Sequence, residues 1–149
     1  MTTQKKFLLI DGHSVIFQWP ELRRLHSQNP SKCRAALTAL LGTLHDTSNW
    51  LVTLVFDGKT GPNEPARPGA MAVIYSQEGQ TADSIIERLV GQANDPSLVY
   101  VVTADEAERI TVEAAGAFVY SPDWLAGEIE QNTGQWQQAL KDVHKKAKW

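Results

Sequence analysis

Four aspartates, Asp11, Asp57, Asp83 and Asp105, are the residues of this sequence best suited to chemistry. Ionised carboxylates gathered at one place repel each other and destabilise a fold unless a cation compensates them. Hard oxygen ligands of this kind suit Mg²⁺ or Mn²⁺. Glu87 follows Asp83 by four residues, so on a helix it shares that face and could add a ligand or orient a water. Each acid alone has a plainer reading, because aspartates after strands make turns and an acid in a first helical turn complements the helix dipole. It is the set of four that argues for a metal. His13 lies two residues beyond Asp11 and suits substrate contact and a structural surface position equally.

Other site chemistries are excluded. Gly58-Lys59-Thr60 looks like the end of a phosphate-binding loop, but that motif needs a glycine where Thr53 stands inside an apolar run. GxGxxG, HExxH and GxSxG do not occur. The four histidines, His13, His26, His45 and His144, lack metal-ligand spacing. A single cysteine, Cys33, rules out an intrachain disulfide and a multi-cysteine zinc site. At helical spacing it falls on an apolar face, as a core thiol would.

The aspartates take their meaning from the elements around them. Phe7–Ile10, Trp50–Phe56, Met71–Tyr75 and Leu98–Thr103 are short continuous apolar runs, the pattern of strands buried on both faces. Ala117–Tyr120 is a weaker fifth. Between them, Ser31 can cap a helix carrying Cys33, Ala36, Leu37, Leu40, Leu41 and Leu44. Thr81 can cap a second with Ile85, Ile86, Leu89 and Val90, and a third starts near Asp105 and ends at Gly116. Alternating strands and helices predict an α/β three-layer sandwich, a mostly parallel central sheet with helices on both faces. Asp11 and Asp57 directly follow strands and Asp105 comes shortly after one. In open parallel sheets that rim is where ligands bind. Asp83, in the first turn of a helix, can face the same rim.

With 149 residues, 42% apolar and 21% charged, the chain suits one globular domain over 1–149. Gly58–Ala70, rich in glycine and proline, reads as a long irregular loop. The stretch 131–149, with Trp136, Leu140 and Val143 among lysines, reads as a C-terminal helical or frayed tail. The short apolar run near the N-terminus is no signal peptide, and no run spans a bilayer, so a cytoplasmic protein without membrane contact is expected. The net charge of −3 does not announce a nucleic-acid binder. With four aspartates engaged by metal, however, the balance comes close to neutral.

The sequence resembles the YacP-like branch of the NYN domains, relatives of the PIN-like nucleases. The resemblance is carried by Ile10-Asp11-Gly12-His13-Ser14-Val15-Ile16 with Trp19-Pro20-Glu21-Leu22, by Val55-Phe56-Asp57-Gly58, by Thr81-Ala82-Asp83-Ser84-Ile85-Ile86-Glu87 and by Val102-Thr103-Ala104-Asp105. It covers roughly residues 5 to 130. It implies a PIN-like fold and a Mg²⁺- or Mn²⁺-dependent endoribonuclease that hydrolyses RNA, with ribosome-associated messenger RNA cleavage as the setting known for some members. Asp11, Asp57, Asp83 and Asp105 would then be catalytic metal ligands, with Asp11 and Asp105 principal. Ser14, Glu87 and Thr103 would support them, and His13, Lys59 and Arg67 would contact RNA, extended by Arg23, Arg24, Lys32 and Arg34. Ser14 and His13 depart from the asparagine and tyrosine usual in the family's opening motif. The main alternative is a non-catalytic PIN-like module that docks on RNA or the ribosome. A receiver-like phosphoacceptor centred on Asp57 would leave the third motif unexplained.

Overall fold

The computed structural model describes residues 5–58 and 70–133. Its centre is strand β1, Lys6–Asp11. Successive side chains of a strand point to opposite faces, so Leu8 and Ile10 enter one hydrophobic core and Leu9 the other. Strand β1 pairs in parallel with β2 (Trp50–Phe56) on one side, where Leu8 lies opposite Val52. On its other side it pairs in parallel with β4 (Val99–Val102), where Leu9 lies opposite Val101. Strands β3 (Ala72–Tyr75) and β5 (Phe118–Tyr120) complete an all-parallel sheet of order β3-β2-β1-β4-β5.

Helices cover both faces. Helices α1 (Gly12–Gln18), α2 (Pro20–Gln28) and α3 (Pro30–Thr47) connect β1 to β2. Together with α6 (Pro122–Thr133) they bury the face of Leu8, Ile10, Leu54 and Phe56. Helices α4 (Ala82–Gln92) and α5 (Glu106–Ala114) bury the face of Leu9, Val55 and Val101. The indole Nε1 of Trp19 donates to the Pro122 carbonyl at 3.1 Å, tying the α1–α2 corner to α6. From β1 the chain winds outward through β2 to β3, then returns to the other side of β1 for β4 and β5. That reversal leaves a crevice beyond the C-terminal ends of β1 and β4, the position where open α/β sheets bind ligands.

Four of the five strands follow the apolar runs closely, and the weak Ala117–Tyr120 run forms the short β5. Helices α1, α2 and α6 did not stand out in the sequence. Helix α3 is capped not by Ser31 but by Asn29, whose side chain accepts from the Lys32 amide at 3.1 Å. Pro30 favours this: its missing N–H and fixed φ suit the first helical position, which puts the cap at Asn29. Cys33 is fully buried, and its thiol donates to the Leu22 carbonyl at 3.2 Å. Burial pushes that thiol up to about 11, against a smaller opposing pull from Arg34. Helix α5 ends before Gly116, which adopts a left-handed φ of 98°. Most of the glycine- and proline-rich loop, with Lys59 and Arg67, lies outside the described residues, as does the tail from 134 to 149. Among the described residues no helix is long and apolar enough to cross a membrane.

Candidate metal centre

Asp11 closes β1 and caps α1. Its Oδ1 accepts from the Ser14 amide at 3.4 Å and its Oδ2 from the Ser14 hydroxyl at 3.1 Å. Gly12 makes this junction possible. A Cβ there would lie 2.6 Å from the Phe56 ring and 3.1 Å from the Val55 carbonyl oxygen, so only glycine lets α1 start hard against the end of β2. Asp57 follows β2, and its Oδ1 accepts from the hydroxyl of Ser76 at 3.0 Å. Ser76 sits just past β3, almost fully buried, and its Oγ accepts from the Gly58 amide at 2.8 Å. Asp83 lies in the first turn of α4, behind a reciprocal capping box between Thr81 and Ser84. Asp105 caps α5, its Oδ1 accepting from the Glu108 amide at 3.0 Å.

Asp11, Asp57, Asp83 and Asp105 all line one open cleft of about 390 Å³, with His13, Ser14 and Phe17 on its wall. The tight cluster beside it is a different set from the four, adding Glu108, which does not line the cleft. One ligand oxygen from each of Asp11, Asp83 and Glu108 lies within 4.8 Å of the others. Asp57 and Asp105 flank this cluster without joining it.

Glu108 is only 2% exposed. Its Oε2 accepts from the Thr103 hydroxyl at 2.7 Å, while its Oε1 is buried with no hydrogen-bond partner. Burial pushes this carboxyl up to about 9, helped by the charge of Asp11 and the proximity of Asp83 and opposed by the Thr103 hydroxyl. Asp83 is also raised above the usual carboxylate range. Its burial is the main cause, the neighbouring Glu108 carboxyl opposes it, and the charges of Asp11, Asp105 and Asp57 add to it. The cleft thus holds more negative charge than its surroundings solvate, which a cation or a retained proton must relieve.

Two hydroxyls organise the cluster. Ser14 Oγ accepts from the Ala104 amide at 3.0 Å, and Thr103 Oγ1 accepts from the Asp105 amide at 3.1 Å. Each hydroxyl proton is left to point at a carboxylate, from Ser14 to Asp11 and from Thr103 to Glu108. The two oxygens are 3.3 Å apart, so the chain after β1 and the chain after β4 are stitched together across the crevice.

The residues present fit a divalent cation. All candidate donors are carboxylate oxygens, as Mg²⁺ and Mn²⁺ prefer, and the orphaned Oε1 of Glu108 is an acceptor that the protein leaves unsatisfied. Glu87 is exposed on α4 and does not line the cleft, because four residues carry it one turn further from the rim than Asp83. Arg23, Arg24 and Lys32 are exposed on α2 and α3 and Arg34 is half-buried, all away from the cleft lining. Two residues were missed in the sequence, Glu108 and Ser76. Asp105-Glu106-Ala107-Glu108 has the spacing of a capping box, in which Glu108 would reach back to the Asp105 amide. Thr103 takes that amide instead, and this frees the Glu108 side chain for the cluster.

A family model described as YacP-like NYN domain matches residues 8–149. The uncharacterized protein YacP of Bacillus subtilis is 29% identical over 126 residues, covering 83% of this chain and 74% of that protein. The crystal structure of a single-substitution variant of Rae1 (YacP) from Bacillus subtilis superposes with a TM-score of 0.74 at 26% identity, covering 94% of this chain and 84% of the other. A second Rae1 (YacP) crystal structure, at 24% identity and a TM-score of 0.73, shares the fold.

Proposed function

The chain belongs to the YacP-like NYN domain family, whose fold is of the PIN-like nuclease type, and from that premise we propose that it is a divalent-metal-dependent endoribonuclease hydrolysing RNA phosphodiester bonds. Messenger RNA on the ribosome is the setting we propose for it. The observation that carries this reading is the convergence of Asp11, Asp83 and Glu108 at the crevice between β1 and β4.

In this proposal Asp11, Asp83 and Glu108 hold the cation, with Asp57 and Asp105 completing the site from its flanks. Mg²⁺ or Mn²⁺ bound there supplies Lewis acidity, stabilising charge on the phosphate and activating water for in-line attack. Ser14 and Thr103 fix the orientation of Asp11 and Glu108, so those carboxylates need not reorganise as charge develops. Ser76 does the same for Asp57. His13 lies on the cleft wall, where it can contact the substrate.

Cleavage of labelled single-stranded RNA in Mn²⁺ is the test. Asp11→Asn should lower the rate by at least the roughly ten- to hundredfold that metal sites lose when only a partner of a ligand is removed. An unchanged rate would refute the metal mechanism. RNA binding by the wild-type chain without any cleavage would instead establish the non-catalytic docking module.

A further inference from the structure

The wall of the acidic cleft carries an aromatic side chain that the reaction itself does not require. Phe17 is 46% exposed on the last turn of α1. Among the described residues, of the exposed large apolar side chains Phe7, Phe17, Ile110 and Phe118, it is the one that lines the cleft. Single exposed apolar residues are ordinary on protein surfaces. What sets Phe17 apart is how it is held. Its ring meets His26 at 5.1 Å and 74°, and His13 at 5.9 Å and 73°, both edge-to-face. Two T-shaped contacts fix a ring's orientation without sandwiching it, and the remaining exposure keeps it open to a ligand.

Position and charge say what that ligand is. Asp11 and Phe17 sit at opposite ends of one short helix, about 9 Å apart along its axis, within the reach of a single nucleotide. The net charge of −3 and the carboxylates of the cleft offer little counterion-release affinity for a polyanion. A base stacked on an uncharged ring supplies affinity that owes nothing to charge. A base inside a duplex has both faces covered and cannot dock this way.

We infer that Phe17, held in a three-ring cluster with His13 and His26 whose own rings lie 6.4 Å apart, is a stacking platform for an unpaired nucleobase of single-stranded RNA whose backbone enters the acidic cleft. The inference rests on the nuclease reading above, and the experiment separates the two. Cleavage of a single-stranded oligoribonucleotide in Mn²⁺ is measured for wild type, Phe17→Ala, Phe17→Leu and Phe17→Trp. Ala and Leu should each raise KM by about five- to a hundredfold, the range lost when one stacked base is released, with kcat less affected. Trp should restore wild-type KM. Leucine keeps apolar volume but has no ring face, so a packing role would tolerate it and stacking would not. In parallel, quenching of an aminopurine-labelled single-stranded oligoribonucleotide is read just after mixing, before turnover. Wild type should quench it, Phe17→Leu should not, and the same strand in a duplex should remain unquenched. Normal KM and quenching in Phe17→Leu beside an inactive Asp11→Asn would overturn the platform and leave the nuclease standing. No cleavage by wild type, with Phe17-dependent quenching intact, would overturn the nuclease and leave the platform. Absence of quenching by wild type overturns the platform in either case.

Discussion

Glu108 shows how a single buried carboxyl divides its effects between stability and function. Its folded-state value is raised from the ordinary 4.5 to about 9. The folded chain therefore holds a proton that the unfolded chain releases in the interval between those values. Stability without metal must fall as pH rises through that interval, because the unfolded state then binds fewer protons than the native one. Glu108→Gln cannot ionise, and its amide can donate to Asp11 or Asp83. The variant should accordingly melt higher than wild type in chelator at alkaline pH, with the gap closing as pH falls toward the carboxyl's ordinary value. Metal should reverse the ranking, since Mn²⁺ raises the wild-type melting temperature by binding only the folded state and the variant has lost a ligand. Melting curves with chelator and with Mn²⁺ across pH check both halves. A deficit in Glu108→Gln that is the same at every pH would refute the assignment. Of the acids gathered at the cleft, Asp11, Asp57 and Asp105 were legible as neighbours because each follows a strand. Glu108 was not, because its role depends on Thr103 occupying the Asp105 amide, a contact that spacing does not encode.

At the level of elements, the β1–α1 junction is where fold and site are most tightly bound together. A Cβ on Gly12 would collide with Phe56, a fully buried core ring, and approach the Val55 carbonyl. Neither can retreat without moving β2, so Gly12→Ala should cost about 1–3 kcal/mol, the usual range for overpacking a core. It should also displace Asp11, which caps the same helix. Denaturant midpoints and Mn²⁺ affinity measured on the variant test the two consequences together, and a variant with both unchanged would show that the junction has room. The strands were readable for a physical reason: the runs are almost continuously apolar, which leaves no polar alternation to confuse the pattern, although β3 is only half-buried. Helices α1 and α2 were harder. They are short and separated only by Trp19, so no long apolar period builds up, and their anchoring comes from distant groups such as the Pro122 carbonyl. The strand order also escaped the sequence. Nothing in the run Val99–Val102 says that it returns to the free side of β1, yet that return creates the crevice.

For the molecule as a whole, the question is how an acidic chain takes up a polyanion. With a net charge of −3 and five carboxylates in or beside one cleft, its field opposes phosphate. A divalent cation held by Asp11, Asp83 and Glu108 would offset much of that local charge and offer the phosphate a direct ligand where the backbone must pass. RNA binding should therefore depend on metal before any cleavage does. In chelator a single-stranded oligoribonucleotide should bind too weakly to saturate, and Mn²⁺ should restore binding in wild type but not in Glu108→Gln. Salt provides a sharper test. Most nucleic-acid binders gain affinity steeply as salt is lowered, through counterion release. Here dilution lengthens the range of repulsion between like charges, so lowering salt in chelator should not rescue binding. Anisotropy titrations in chelator and in Mn²⁺, each at low and moderate salt, measure this directly. Strong binding in chelator that grows as salt falls would mean that a basic surface away from the cleft, such as the exposed Arg23, Arg24 and Lys32, captures the RNA. The acidic centre would then act on a strand already held elsewhere, and the metal would be needed only for the cut.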